Sequence, residues 1–213
     1  EFIPAVQAGE PVHYCEDGTP VRLVERAEVF VCMRPSTEME LSGSELAKKM
    51  NEAALQPMGM PRGGPAVENE FGAICYSPLA LDRRKAISLT QILHDGTVWC
   101  IDRHFFMDEF REFESSAFEQ SVYCSLVSTL RFCRGVLKMP PPADLKFGAK
   151  GIRGYRMILP NNLRGDRTQK EAVRHSERIT RFSGASRLVQ PFFSGVWLAF
   201  GLVRPEEDIE YDC

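Results

Sequence analysis

The sequence lacks any long apolar run. No stretch approaches the roughly 20 residues that a transmembrane helix needs, so the sequence excludes a helical membrane protein. The first residues contain no basic segment followed by an apolar one, which gives no indication of a secretory signal. A composition of 44% hydrophobic and 26% charged residues over 213 positions is typical of a soluble globular protein rather than a disordered one.

Motifs that name a catalytic class are also missing. The chain has no GxSxG nucleophile motif, no P-loop and no GxGxxG dinucleotide fingerprint. His13 with Cys15, and Cys100 with His104, could each share a metal, but neither pair comes with a second pair of ligands. We therefore expect no metal and no cofactor.

The seven cysteines are scattered, odd in number and form no CxxC pair. In a chain of this length that pattern is typical of reduced, buried thiols. We therefore expect no disulfide framework and a cytoplasmic protein. The chain begins without Met, and we expect it to be a fragment that follows an upstream domain of the same protein.

Positive charge is concentrated in one segment of an otherwise acidic chain. Residues 146–187 contain eleven Lys and Arg against three acids, a net charge of +8, whereas the whole chain carries −3 and the remainder therefore −11. A local field of one sign suits a polyanion, either nucleic acid or the phosphates of a nucleotide.

Periodicity predicts an α+β fold with mixed strands in the N-terminal half and long core helices in the C-terminal half. Alternation and turn residues predict strands at 12–15, 21–24, 29–33, 72–76, 86–93, 98–101, 145–147 and 155–159. Repeats of three to four residues predict a helix after Ser42 or Ser44, a long helix from 118 to 137, and a last helix from 188 to 200. Thr168 and Glu171 have capping-box spacing and predict a further helix to about Phe182.

Within the basic segment, a helix over 168–182 would place four cations on one face. The planar guanidinium of arginine bonds two phosphate oxygens at once. The alternative is a solvated helix surface with internal ion pairs, which this pattern also fits. The candidate phosphate-binding residues are Lys150, Arg153, Arg156, Lys170, Arg174, Arg178 and Arg181.

Two other functions stay open. Asp108, Glu109 and Glu112 belong to an acidic cluster over 108–119 that could bind Mg²⁺ for nuclease or phosphotransfer chemistry, although glutamates are also favoured at a helix start by the macrodipole. The apolar face of 188–200 could instead dock on another domain or on a second copy, which would make the chain a scaffold segment and a homo-oligomer possible.

Three segments together resemble a known family. Residues 29–38 (VFVCMRPSTE), followed by the helix predicted at 44–50, resemble the closing strand of the Schlafen-like AlbA-type domain, whose usual pattern is Tyr-Val-Arg-x-Gly-Ser-Ser-Thr. Ser36 and Thr37 match, whereas Cys32 stands at the usual Arg and Arg34 at the usual Gly. Residues 151–155 and 196–201 are similar to the region that follows this domain in many bacterial members.

The resemblance implies a DNA- or nucleotide-binding role, often in transcription regulation or phage defence. Some Schlafen relatives cut RNA with an acidic motif near the start of the domain, and that motif has no counterpart in these residues. We therefore expect a non-catalytic binding module. Its expected domains are 1–55, the end of a Schlafen-like unit; 56–70, a linker rich in Pro and Gly; and 71–213, an α+β domain.

Overall fold

A computed structural model of the chain describes residues 10–15, 18–60, 63–106, 109–205, 211 and 213. The described residues form an α+β fold, as the sequence predicts. The strands are β1 (Pro11–Tyr14), β2 (Pro20–Leu23), β3 (Glu28–Pro35), β4 (Val67–Asn69), β5 (Gly72–Leu79), β6 (Asp82–Leu93), β7 (Val98–Asp102), β8 (Glu112–Glu114), β9 (Ala143–Lys150), β10 (Arg156–Ile158) and β11 (Ala172–Ile179). The helices are α1 (Gly43–Glu52), α2 (Ser115–Gly135) and α3 (Ala185–Ala199), with a short 3₁₀ helix at His104–Phe106.

Nine of these strands form one sheet in the order β1-β2-β6-β7-β3-β9-β11, and β5 with β4 pairs onto β6. Every pairing in this sheet is antiparallel except β2 with β6. β8 and β10 form a separate parallel pair. Because β3 lies between β7 and β9, strands from 1–55 and from 71–213 share one sheet. The expected linker at 56–70 therefore does not separate two folding units.

The three helices cover one face of the sheet, here called the inner face. α1 places Leu46 and Met50 in the same apolar core as Val122 of α2 and Phe192 of α3. The side chain of Ser42 caps α1, because its Oγ accepts a hydrogen bond from the Glu45 N–H at 3.2 Å. On the other face, a smaller apolar cluster joins β1 and β2 to the β5–β6–β7 part of the sheet. The predicted periodicity of all three helices is confirmed.

The helix predicted over 168–182 is wrong, because residues 172–179 form the edge strand β11. The Oγ1 of Thr168 accepts from the Lys170 N–H at 3.1 Å, which makes a local turn instead of a helix cap. Eight residues of β11 then pair with β9, and the inward side chain of His175 stacks on Phe147 beneath α3. Ladder pairing and packing outweigh the local helix signal.

One disulfide departs from the expected pattern of reduced, buried thiols. Cys124 of α2 forms a disulfide with Cys213. Cys32, Cys75, Cys100 and Cys133 are buried free thiols, and Cys15 is exposed. Burial raises the pKa of all four buried thiols, so each stays protonated near neutral pH.

Candidate nucleic-acid interface

The register of β3, β9 and β11 decides which side chains share the outer face, the side opposite the helices. Residues directly opposite each other in adjacent strands point to the same face. Val29, Phe147 and Ile179 point inward and are buried in the core, so the alternate residues point outward. The pairing produces four outward rows: Glu28–Lys150–Ala172, Phe30–Gly148–Arg174, Cys32–Lys146–Ser176 and Arg34–Asp144–Arg178.

Five cations lie in these rows, and we call them the basic sheet face: Arg34, Lys146, Lys150, Arg174 and Arg178. Lys150, Arg174 and Arg178 are exposed, whereas Arg34 and Lys146 are half-buried. The same rows hold two acids, Glu28 and Asp144, so the face carries a net charge of +3. The Cys32 thiol is buried and protonated and adds no charge.

One of the two acids is already neutralised from within the fold. Glu28 is 1% exposed and bonds the equally buried guanidinium of Arg103, which also donates to the carbonyl oxygen of Val24. The exposed Lys150 Nζ lies 2.8 Å from the other Glu28 oxygen. Since Arg103 balances the Glu28 charge, Lys150 contributes its positive charge to the surface.

The arginines of β11 lie at an edge of the sheet. Arg178 donates from Nη2 to the Ser36 Oγ at 3.3 Å, which ties it to the chain just after β3. The pairing places Arg178 and Arg34 on either side of Asp144 in one row. This row therefore has two cations for one carboxylate, and the Arg178 side chain is exposed on the outer side.

An aromatic ring lies within the basic sheet face. Phe30 is half-buried, and its ring lies over Gly148, where a Cβ would come within 2.3 Å of the ring carbons. The Trp99 ring of β7 packs against it with centroids 5.6 Å apart. Gly148 thus allows the Phe30 ring to lie flat on the sheet, in the same row as Arg174.

The structure brings together only part of the sequence-predicted set. Lys150, Arg174 and Arg178 share the basic sheet face, and the exposed Lys170 and Arg181 follow just beyond the two ends of β11. The other two predicted cations lie elsewhere.

Arg153 is in the turn after β9, with Nε 3.8 Å from Glu171. Arg156 is in β10, outside the large sheet, with Nη1 3.8 Å from Glu112. Three members of the interface were not among the predicted site residues, namely Arg34, Lys146 and Phe30. The outward alternation of their strands was the available signal, but it needed the β3–β9 pairing to be known.

The acidic residues proposed for metal-dependent chemistry form no metal-binding group within the described residues. Asp108 lies outside the described residues. Glu112 faces both Arg156 and Arg164, with the second contact at 3.7 Å. The described part of the chain contains no group of three or more His, Cys, Asp or Glu side chains arranged to hold a metal ion.

Glu119 of the same cluster serves packing between α2 and the C-terminal region. Its buried carboxylate accepts from the Trp197 Nε1 at 2.6 Å, from the Arg204 Nη2 at 2.9 Å and from the Tyr211 hydroxyl at 3.0 Å. Burial and this carboxylate raise the pKa of Tyr211 to about 12. Glu119 is therefore fully engaged by donors of its own chain.

The apolar face proposed for docking is covered internally. Leu188, Phe192, Val196 and Phe200 are at most 1% exposed and belong to the main core. α3 packs on β11 and β9, and a further contact joins it to α2. This face is therefore not a free surface for another domain or copy.

Comparison with known proteins gives no relative: the chain matches no protein-family model, no curated protein and no solved structure. The resemblance to the Schlafen-like AlbA-type domain therefore stays a prediction. Among the helices in the described ranges, none combines the length and apolar character needed to cross a membrane.

Proposed function

We propose that the basic sheet face binds single-stranded nucleic acid, and that the chain is a non-catalytic nucleic-acid-binding module. The observation that carries the proposal is the convergence of five cations, from three strands distant in sequence, on one outward surface. Strand β3 supplies Arg34, β9 supplies Lys146 and Lys150, and β11 supplies Arg174 and Arg178. Surface cations that bind nothing would have no reason to align on one face across three strands.

The dimensions of the face favour a polymer over a mononucleotide. Four rows separated by two residues each extend over about 20 Å along the strands, and the cations occupy all four of them. A single nucleotide would contact only a few of these groups. A strand laid along the face would place successive phosphates near successive cations, which is how sequence-tolerant single-strand binders work.

A flat sheet also favours single strands over a duplex. The major groove admits a helix or a narrow two-stranded ribbon, whereas a broad sheet surface suits bases that are unstacked and turned outward. The half-buried ring of Phe30 beside Arg174 offers one aromatic surface on which a base can stack. This preference for single strands applies to RNA and DNA alike.

The resemblance to Schlafen-like proteins supports placing this module in a larger bacterial protein of the cytoplasm, with a role in transcription regulation or phage defence. The match of Ser36 and Thr37 lies directly after β3, next to Arg178. The part of the family pattern present here is therefore adjacent to the proposed interface.

Fluorescence anisotropy with labelled single-stranded RNA and DNA of mixed sequence tests the proposal. We expect binding at low salt that weakens with a log–log slope of about −2 to −3.5, since each phosphate contacted by a single strand contributes roughly −0.7. A duplex of the same sequence and a mononucleotide should compete poorly. No binding at low salt, or tighter binding of the duplex, would contradict the proposal.

A further inference from the structure

The outer edge of β11 differs from the other edges of the large sheet. β9 pairs with one side of β11, and no strand within the described ranges pairs with the other side. All eight residues of β11 pair with β9 without a register shift, and none is a proline. By contrast, β1 has four residues, begins with Pro11 and has a register shift before His13, and β4 has three residues. Short length, proline and irregular register keep edge strands from pairing with other chains, and β11 has none of these features.

Charge on β11 opposes pairing with a second copy of this chain. Arg174 and Arg178 are exposed on its outer face. In an antiparallel pairing of two copies centred on Ser176, Arg174 of one copy would lie opposite Arg178 of the other. Like charges directly opposite each other destabilise a cross-strand pair, whereas opposite charges stabilise it. The exposed Lys170 and Arg181 add positive charge just beyond the two ends of the strand. The edge therefore favours a strand with acidic side chains on the outer face.

On the inner face, α3 runs alongside β11 in the opposite direction. Arg187 Nη1 lies 3.0 Å from the carboxylate of Glu177, in the second half of the strand. Eight residues later in the helix, a Cβ at Gly195 would come within 3.4 Å of the side chain of Val173, near the start of the strand. The two spacings agree, since eight helix residues and four strand residues each extend over about 12 to 14 Å. α3 therefore lies over β11 along most of its length.

The side of α3 that faces away from the core is exposed and partly apolar. Leu188 and Phe192 are buried in the main core on one side of the helix. With 3.6 residues per turn, Pro191 and Leu198 project from the other side together with Arg187. Pro191 is exposed, and Leu198 is 62% exposed. A strand added to β11 would lie beneath this side of α3, where its inward side chains would contact Pro191 and Leu198.

We propose that the outer edge of β11 binds an extended segment of a partner protein in which acidic and apolar residues alternate. The backbone of the segment hydrogen-bonds to β11 and adds a strand to the sheet. Its acidic side chains lie on the outer face near Arg174 and Arg178, and its apolar side chains lie on the inner face against Leu198. The proposal concerns the edge of the sheet and does not depend on nucleic-acid binding by the basic sheet face.

Fluorescence anisotropy with a labelled, end-capped octapeptide of alternating Glu and Val tests this edge. Eight residues match the length of β11. We expect the Glu–Val peptide to bind, and a Lys–Val peptide of the same pattern to bind at least about tenfold more weakly. A Glu–Val peptide with a methyl group on every backbone nitrogen should not bind, because it cannot donate hydrogen bonds to the strand.

Two pairs of variants locate the bound peptide. Leu198→Asp should weaken binding of the Glu–Val peptide about fivefold, because it replaces an apolar contact with a like charge. Leu163→Asp, at a leucine that is 61% exposed in the turn after β10, should leave the affinity unchanged. Arg178→Glu should weaken binding about tenfold. Arg84→Glu is the matched control, since β7, β3 and β9 separate its strand from β11.

Leu198→Asp also separates this site from the basic sheet face. Leu198 belongs to α3 on the inner side of the sheet, so the variant should lose peptide affinity and keep the wild-type affinity for single-stranded nucleic acid. The peptide measurement needs no nucleic acid, so failure of one proposal is distinguishable from failure of the other. Equal binding of the Glu–Val and Lys–Val peptides, binding of the methylated peptide, or equal effects of Leu198→Asp and Leu163→Asp would overturn the proposal. Absence of binding by all three peptides would overturn it as well.

Discussion

The basic segment divides into two groups of cations with opposite surroundings. Arg174 and Arg178 are exposed on the outer side of β11, where the Arg178 guanidinium donates to the Ser36 hydroxyl at 3.3 Å. Arg156 and Arg164 lie around β10, and both face the carboxylate of Glu112. Equal charge density in the sequence thus produces cations aligned on the outer sheet face in one place and cations around a single carboxylate of β8 in the other.

The same contrast extends to cations outside the segment. Arg103 and Arg204 are largely buried, and each bonds one buried carboxylate, Glu28 and Glu119 respectively. The comparison separates arginines that hold a buried carboxylate, as Arg103 and Arg204 do, from the exposed arginines of β11 on the basic sheet face. Substitution of the buried, paired arginines should therefore change the free energy of unfolding, whereas substitution on the basic sheet face should change the affinity for nucleic acid.

The largest effect is expected for Arg103→Met, which leaves Glu28 buried without its main partner. Breaking a buried ion pair costs roughly 3 to 5 kcal/mol of the free energy of unfolding. The lower part of that range applies because Lys150 Nζ remains 2.8 Å from Glu28. Urea denaturation measures the loss, with Arg174→Met as the exposed control. A decrease of less than about 1 kcal/mol in the free energy of unfolding would mean that Arg103 does not stabilise the buried Glu28 carboxylate.

Asp102 provides the contrasting case of a buried carboxyl without a cation. Burial raises its pKa from 3.8 to about 7, although the His104 N–H donates to its Oδ1 at 2.6 Å and opposes the shift. The folded protein therefore keeps a proton that the unfolded chain releases near pH 4. The free energy of unfolding should fall as pH rises from about 4 to about 7, by on the order of 3 kcal/mol.

Asp102→Asn removes that pH dependence. Its stabilising effect relative to the wild type should therefore be largest above pH 7. Urea midpoints measured across this pH range for the variant and the wild type give the difference directly. Asp166→Asn, at an exposed position, serves as the control for changes in net charge. Parallel profiles for wild type and Asp102→Asn would show that Asp102 does not carry the proton.

The double variant Arg174→Glu/Arg178→Glu should weaken binding of single-stranded nucleic acid by roughly 30-fold at low salt, because two phosphate contacts become repulsive. Its free energy of unfolding should change by less than about 0.5 kcal/mol, as for most surface substitutions. Anisotropy titration and urea denaturation on the same samples separate the two effects. A stable variant with unchanged affinity would show that β11 takes no part in the interface.

The smallest effect is expected for Phe30→Leu, which keeps an apolar side chain over Gly148 but removes the aromatic ring. Loss of one stacked base should weaken binding about fivefold, while the salt dependence should stay the same because no charge is removed. Measuring the affinity and its salt dependence together distinguishes a loss of base stacking from a general disruption of the fold. An altered salt dependence would show that Phe30 acts by positioning the neighbouring cations instead.

Much of the fold could be predicted from local signals. The Ser42 cap with Leu46 and Met50 predicted α1, and four-residue repeats predicted α3. The β11 segment could not be predicted in this way, because pairing with β9 and packing under α3 override its capping-box spacing. A spacing of four is also even, so Arg174 and Arg178 share a face in a strand as they would in a helix.

The remaining parts of the interface depend on long-range pairing. Arg34 and Asp144 are opposite each other only because β3 pairs with β9, which lies more than a hundred residues later. Likewise, Glu112 neutralises Arg156 and Arg164 only because β8 pairs with β10. No local pattern separates the cations that gather around Glu112 from those that align on the outer sheet face.

Salt dependence of binding tests the central claim most directly. We would compare two charge-matched double variants, Arg174→Gln/Arg178→Gln on the basic sheet face and Arg164→Gln/Arg187→Gln at ion-paired positions. The first should reduce the log–log slope by about 1.4, the contribution of two phosphate contacts to a single strand, and the second should leave it unchanged. Equal slopes for the two variants would contradict the account, since binding would then follow total charge and not the surface that the sheet assembles.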